Sequence, residues 1–115
     1  MRAYELMVIF DGDLDESSVQ LGINKIHEQV TEAGGETVTT DKWGTRRFAY
    51  EIDHKSVGFY VLLEILAEAG ALDRLEGTLR LADDVVRHKL IRLPDHEAAR
   101  RGLLGEQAAP APAEA

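Results

Sequence analysis

The sequence predicts an α+β fold of the ferredoxin-like, split βαβ type, in which a four-stranded antiparallel sheet carries two helices on one face. Four segments have the apolar patterns of strands, and in two further segments apolar residues recur every three or four positions, as in helices. These segments follow one another in the order strand, helix, strand, strand, helix, strand. The sheet face opposite the helices, called the outer face below, is expected to be open.

The first predicted strand, Arg2 to Phe10, is largely apolar on both faces. One face holds Tyr4, Leu6, Val8 and Phe10. Met7 and Ile9 lie on the other face, where exposed apolar residues commonly mark a partner surface. Both are therefore candidate contacts for a protein or RNA partner.

The first helix is predicted to begin after Asp15, whose carboxylate can accept the free amide hydrogens of the first turn. Its apolar stripe consists of Val19, Ile23, Ile26, Val30 and Ala33. Gly34 and Gly35 then favour the end of the helix, because glycine readily adopts the left-handed conformation found there.

The remaining elements are predicted in turn. They are a strand from Glu36 to Tyr50, a polar turn at 53–56, a strand from Gly58 to Leu66, a helix with Leu72, Leu75 and Leu79 on its buried face, and a strand from Val85 to Leu93. Residues 95–104 have the pattern of one or two helical turns on a partner. The sequence thus indicates a folded domain over 1–93 and an extension over 94–115, of which 106–115 is expected to be disordered.

The segment from Lys42 to Ile52 combines two adjacent arginines, a tryptophan and an apolar alternation. Phe48, Tyr50 and Ile52 are predicted to share the buried face of the strand. Arg46 and Arg47 must point to opposite faces, because side chains alternate along a strand. A glycine within a strand often marks a bulge, which is expected at Gly44.

The net charge of −8 argues against a nucleic-acid partner, but the charges are unevenly distributed. Lys42 to Lys55 holds four basic residues against two acidic ones, and Arg87 to Arg101 holds five against two. Lysine and arginine contact phosphate, and aromatic rings stack on unpaired bases. The candidate RNA-binding residues are Arg2, Arg46, Arg47, Arg87, Lys89 and Arg92, with Trp43 as a candidate RNA or partner contact. Adjacent arginines also protect sheet edges from aggregation, which is the alternative role of Arg46 and Arg47.

Catalytic chemistry is not indicated. The four histidines are scattered without metal-ligand spacing, and cysteine is absent, which excludes disulfides and thiolate metal sites. We therefore expect no enzymatic activity, no metal and no cofactor. No apolar run reaches the roughly 18 residues of a membrane helix, and the N-terminus lacks the order of a signal peptide, so a cytoplasmic location is expected.

Four segments within residues 1–93 carry a family resemblance. They are Met1-Arg2-Ala3-Tyr4-Glu5, Trp43-Gly44-Thr45-Arg46-Arg47-Phe48-Ala49-Tyr50, Gly58-Phe59-Tyr60-Val61 and Asp84-Val85-Val86-Arg87-His88-Lys89-Leu90-Ile91-Arg92. In this order they resemble the family of the sixth protein of the bacterial small ribosomal subunit. Two positions depart from the family pattern: Glu51 replaces a common proline, and His88 stands where a small or apolar residue is expected.

The resemblance implies a non-catalytic, ribosome-associated protein. It implies binding to the central domain of small-subunit ribosomal RNA, as a heterodimer with the eighteenth small-subunit protein. It also implies that Arg2, Arg46, Arg47, Arg87 and Arg92 contact RNA.

Two alternatives share the predicted fold. The first is a stand-alone binder of single-stranded RNA of the RNA-recognition-motif type, suggested by Gly58-Phe59-Tyr60-Val61 but lacking that motif's flanking basic residue and later aromatic. The second is a ferredoxin-like regulatory domain for a small metabolite, since a fold by itself does not determine function.

Overall fold

The chain forms one four-stranded sheet with two helices packed on one face, in a computed structural model that describes residues 1–52 and 54–103. The strands are β1 (Arg2–Asp11), β2 (Glu36–Ile52), β3 (Lys55–Ala67) and β4 (Val85–Arg92), and the helices are α1 (Glu16–Glu32), α2 (Asp73–Leu81) and α3 (Asp95–Arg100). The strand order is β2-β3-β1-β4, and all neighbouring strands are antiparallel. The predicted ferredoxin-like fold is confirmed.

The main core lies between the sheet and the helices α1 and α2. It is built from alternate residues of β1 and β3, because successive side chains of a strand point to opposite faces. Its buried members are Tyr4, Leu6, Val8, Phe10, Val19, Ile23, Ile26, Val30, Val61, Leu63, Ile65, Ala67, Leu72, Leu75 and Leu79. Each large aliphatic or phenylalanine side chain buried there stabilises the fold by about 1.5–3 kcal/mol.

Helix α1 begins and ends as its sequence predicts. Asp15 caps it, with its carboxylate accepting a hydrogen bond of 2.8 Å from the backbone amide of Ser18. The helix ends before Gly34, whose φ of +83° is the left-handed conformation that favours glycine. These local signals therefore decide both ends of the helix without help from distant residues.

His88 faces the helices, on the same side of β4 as Leu90. Its Nε2 lies 3.2 Å from the Glu76 carboxylate of α2, and both side chains are partly buried. A buried polar group is tolerated where it has a hydrogen-bond partner. Glu76 thus explains how a histidine occupies a position where an apolar residue is expected.

The β2–β3 hairpin is longer than predicted. β2 continues to Ile52 and β3 begins at Lys55, so that only the turn around His54, with a φ of 64°, separates the two strands. The predicted burial of Tyr50 is wrong, since 75% of its surface is exposed. The period-two pattern fails there because residues 48–51 of β2 lie opposite the single residue Ser56, which makes a large, irregular bulge.

Helix α3 covers part of the outer face, which the sequence predicts to be open. Ala98 of α3 and the following Leu103 are buried in a second, smaller cluster with Ala3, Leu66 and Leu93. The residues predicted to fold on a partner therefore pack on the chain's own sheet. Beyond 103, the predicted disordered tail at 106–115 lies outside the described residues.

Candidate nucleic-acid interface

The strand register places the candidate residues on the sheet. Residues paired across neighbouring strands share a face, so Tyr60, Ile9 and Arg87 form one row on the outer face. Leu62, Met7 and Lys89 form the next row. Arg87 and Lys89 are both exposed at the β4 edge.

Arg46 lies at the opposite edge, on β2. It pairs with Gly58, which pairs in turn with Asp11, so Arg46 also belongs to the outer face. β2 and β4 are three strand spacings apart, roughly 14 Å. Arg46 and the β4 cations therefore flank the outer face from its two edges, with β3 and β1 between them.

Trp43 and Arg46 are arranged by a bulge in β2. The pairing register shifts between Lys42 and Gly44, and Gly44 has a φ of +93°, which confirms the predicted bulge. The guanidinium carbon of Arg46 lies 5.2 Å from the centre of the Trp43 ring system, and the indole N–H donates a hydrogen bond to Asp41. The tryptophan thus orients the arginine through a cation–π contact, which contributes about 0.5–1 kcal/mol at an exposed site.

Arg47 points to the other face of β2, as predicted. It pairs with Val57, whose neighbour Gly58 pairs with Arg46. Both arginines are exposed, and among the residues that the structure describes no carboxylate lies within 4.0 Å of either guanidinium. Their positive charge is therefore available to a ligand.

Arg2 and Arg92 are separated from these residues. Arg2 pairs with Ala67 and Arg92 with Tyr4, at the opposite end of the strands from Arg46 and on the side of the helices. Arg92 also lies 3.7 Å from Asp95 in an exposed ion pair. The six predicted RNA-binding residues are all exposed, but they do not form one continuous patch.

Phe48 covers one end of the outer face. Its ring is 8% exposed and makes an edge-to-face contact with Tyr60, with ring centres 6.3 Å apart. Gly58 provides the space, because a Cβ there would lie 2.7 Å from the Phe48 ring and 2.5 Å from Ile9. Ile9 is consequently buried, which corrects the expectation that it is exposed, whereas Met7 is half-buried.

Arg101 forms ion pairs with acidic residues at the other end of the outer face. Its guanidinium lies 3.0 Å from both Glu5 and Glu64, which are directly opposite each other on β1 and β3, and its Nε lies 2.8 Å from Glu97. The hydrogen bonds that Arg101 donates to Glu5, and then to Glu97, raise the pKa of Arg101. Hydrogen bonds from Arg100 and Arg101 lower the pKa of Glu97. Glu5, Glu64 and Glu97 thus each have a cationic partner within the chain.

Lys55 fixes the base of the β2–β3 hairpin to β1. Its ammonium lies 2.7 Å from the carboxylate of Asp11, whose side chain is only 16% exposed. The hydrogen bond from Lys55, followed by the one from the Asp13 amide, lowers the pKa of Asp11, and the same contact raises the pKa of Lys55. This pair holds the hairpin at a defined position beside Arg46 and Arg47.

The described residues give little support for a metal site, a small-molecule pocket or a membrane-spanning helix. Within residues 1–52 and 54–103, no three His, Asp or Glu side chains converge as metal ligands. Two recesses beside α1 and α2 measure about 150 and 140 Å³, below the roughly 300–1,000 Å³ of small-molecule pockets. Two others, beside His27 and Thr31 of α1, measure about 340 Å³ each but are shallow and open to solvent, whereas such pockets enclose most of their ligand. In the same part of the chain, no helix is both long and apolar enough to span a membrane.

The fold and these residues define a ferredoxin-like α+β protein with arginine and aromatic side chains at the sheet margin. Comparison with known proteins specifies the family. The model of the family described as ribosomal protein S6 matches residues 3–92. The chain therefore belongs to the ribosomal protein S6 family.

Individual relatives agree with this assignment. The small ribosomal subunit protein bS6 of Salinispora arenicola is 44% identical over 92 residues, which are 80% of this chain and 96% of the relative. The corresponding protein of Micrococcus luteus is also 44% identical, over 80% of this chain and 91% of its own length. The crystal structure of 30S ribosomal protein S6 from Thermotoga maritima has a TM-score of 0.80 at 26% identity, covering 87% of this chain and 94% of that chain.

The family assignment determines the general function. The protein is a structural, non-enzymatic constituent of the small ribosomal subunit and is associated with the ribosome in the cytoplasm. The sequence-based predictions of family, of location and of a non-catalytic role are confirmed on this basis.

Proposed function

We propose that this chain binds the central domain of small-subunit ribosomal RNA together with the eighteenth small-subunit protein. The observation that carries the proposal is the pair Arg46 and Arg47, which is exposed and has no carboxylate partner among residues 1–52 and 54–103. A surface arginine without an acidic partner retains its full charge for phosphate.

The overall charge explains the need for a second protein. A net charge of −8 repels RNA at long range, so local cations alone give weak binding. A basic protein bound beside this chain makes the electrostatic potential around the complex positive, which attracts RNA. The half-buried Met7 and the 40%-exposed Trp43 provide apolar contact area for such a partner on the outer face.

The remaining cations extend the contact. Arg87 and Lys89 at the β4 edge, and Arg2 and Arg92 at the far end of the strands, are exposed and are assigned to phosphates of other nucleotides. Because these groups are apart from one another, the RNA follows the margin of the sheet.

The stand-alone RNA-binding alternative is disfavoured by the direction of two aromatic residues. Phe59 pairs with Phe10 and packs against the core between sheet and helices, so it is directed away from the outer face. Tyr60 does belong to the outer face, but its ring is engaged by Phe48. Base stacking on the middle strands, which that alternative requires, has no free aromatic platform there.

Replacing Arg46 and Arg47 together by alanine tests the proposal. We expect weaker binding of the heterodimer to a central-domain RNA fragment, with unchanged circular dichroism. The slope of log affinity against log salt should flatten by about 0.7–0.9 for each phosphate that the variant no longer neutralises. The matched control replaces Arg74 and Arg80, two exposed arginines of α2, and makes the same change in net charge.

Two outcomes would contradict the proposal. If both double variants lose affinity equally, net charge and not position matters. If neither loses affinity, Arg46 and Arg47 serve to protect the sheet edge. Sedimentation of tagged wild-type protein with small subunits on a sucrose gradient provides the cellular check.

A further inference from the structure

The bulge at residues 48–51 of β2 exposes one aromatic side chain that strand periodicity would bury. Tyr50 is 75% exposed, whereas Phe48, two residues earlier, is 8% exposed. Scattered apolar side chains are common on protein surfaces, but tyrosine usually keeps much of its ring covered. The ring of Tyr50 is therefore free to contact another molecule.

Phe48 makes the bulge a fixed support for Tyr50. Its ring is held between Tyr60 and the backbone at Gly58, which has no side chain to displace it. On the other side of the bulge, Ile52 pairs with Lys55, which is bound to Asp11. The backbone is thus held on both sides of Tyr50. Binding of a ligand to the ring therefore costs little conformational entropy.

The neighbouring charges indicate which kind of molecule the ring contacts. Arg47 precedes Tyr50 by three residues, which places the two backbones at most about 11 Å apart, and Arg46 lies one residue further back. Exposed arginines beside an exposed aromatic ring match a nucleotide, whose phosphate is anionic and whose base has a flat π surface. An apolar protein partner would instead favour a larger apolar patch, but the ring is flanked by the small Ala49 and the charged Glu51.

We infer that Tyr50 stacks on an unpaired base of the RNA while Arg46 and Arg47 contact the adjoining phosphates; this rests on the proposed function. The base must be unpaired, in a loop, a bulge or a strand end, because bases within a duplex are already stacked on both sides. Stacking uses the ring and not the hydroxyl group, so the contact tolerates different bases.

The test compares Tyr50→Ala and Tyr50→Phe in the full chain, bound with its partner protein to a central-domain RNA fragment. Tyr50→Ala should weaken binding roughly 5- to 150-fold, the range measured for loss of one stacked base. Tyr50→Phe should bind within about twofold of wild type, because the ring is retained. Binding to a fully paired RNA duplex should be the same for all three proteins, since it offers no free base surface.

Leu81→Ala is the matched control, because Leu81 at the end of α2 is 83% exposed and distant in sequence from the hairpin. It should bind RNA as wild type does. All variants should melt at the wild-type temperature, since the side chains removed are exposed.

Several results would overturn the inference. Normal binding by Tyr50→Ala, with the Arg46 and Arg47 variant impaired, would reject stacking but leave the proposed function standing. An equal loss in Tyr50→Phe would assign the effect to the hydroxyl group, and weaker binding to the partner protein without RNA would make Tyr50 a protein contact. Failure of the wild-type heterodimer to bind the RNA fragment would reject the proposed function itself.

Discussion

Gly58 shows how one absent side chain shapes the outer face. An added Cβ would approach Ile9 to 2.5 Å and Phe48 to 2.7 Å, closer than non-bonded carbon atoms come. The sequence shows a glycine at the start of an apolar strand but does not show what lies above it. The close approach depends on the pairing of β2 with β3, which places Phe48 over Gly58 and beside Tyr60.

Gly58→Ala should therefore lower the free energy of unfolding by about 1–3 kcal/mol, the usual cost of overpacking a buried site. Urea unfolding measures the change. The control is Gly77→Ala in α2, where an added Cβ meets no atom within 4 Å. Because alanine is the better helix former, Gly77→Ala should stabilise the protein by up to about 1 kcal/mol. An unfolding midpoint for Gly58→Ala at or above the wild-type value would contradict the packing of Phe48.

At the scale of elements, the position of α3 was not predicted from the sequence. The segment packs on the sheet of its own chain and not on a partner. It is held by two kinds of contact: the apolar cluster around Ala98 and Leu103, and the ion pairs of Arg101 with Glu5 and Glu64. Glu5 and Glu64 face each other across neighbouring strands, an arrangement that is unfavourable without an intervening cation. Arg101 thus supports both the helix and the sheet beneath it.

Arg101→Met, which keeps an unbranched apolar side chain, should loosen α3 without unfolding the sheet. We expect faster hydrogen exchange at the amides of Ala98 and Leu103, by an amount corresponding to about 0.5–1 kcal/mol for partly exposed ion pairs. Arg100→Met is the control, because Arg100 is 75% exposed and forms its ion pair with Glu97 of the same helix. Equal exchange in the two variants would show that the contacts to the sheet contribute nothing.

Acid should weaken α3 itself, because Glu97 forms ion pairs with Arg100 and Arg101 within this segment. Arg100 and Arg101 hold the pKa of Glu97 below its ordinary value of about 4.3. A carboxyl group with a lowered pKa in the folded state stabilises that state fully above its ordinary pKa. This stabilisation is lost as the pH falls through the lower value, so protection of Ala98 and Leu103 should decline below about pH 4.

At the scale of the whole molecule, the basic residues lie on distant parts of the sheet. Arg46 lies in the same row of the sheet as Asp11 of β1, because both pair with Gly58. Arg2 and Asp11 are nine residues apart along β1, which is roughly 30 Å at about 3.3 Å per residue. In the proposed complex with RNA, cations placed this way contact the RNA at separate points along the margin of the sheet. This arrangement fits a structural protein that holds RNA segments in place.

Arg2→Ala and Arg46→Ala should consequently have additive effects on binding to central-domain RNA. Side chains more than about 10 Å apart with no shared partner usually act independently, within about 0.5 kcal/mol. Affinities of the two single variants and the double variant, measured at one salt concentration, check this. A double variant no weaker than the weaker single variant would mean that the two residues contact one phosphate cluster.

Most of the fold was predictable because its signals are local. The Asp15 cap, the stripe from Val19 to Val30 and the alternation in β1 each depend on residues near in sequence. The exposure of Arg46 and Arg47 on opposite faces also followed from strand alternation and the bulge at Gly44. The candidate site was less predictable, since the distances between its residues depend on pairing between strands.

By itself, the sequence determined the order of elements, the family and the identity of the charged and aromatic residues at the sheet margin. The tertiary structure alone decided that Tyr50 is exposed while Phe48 covers Ile9, that α3 lies on the outer face, and that the arginines occupy separate edges. The physical reason is that these features arise from strand register, a bulge and contacts between residues far apart in the chain, which local periodicity does not encode.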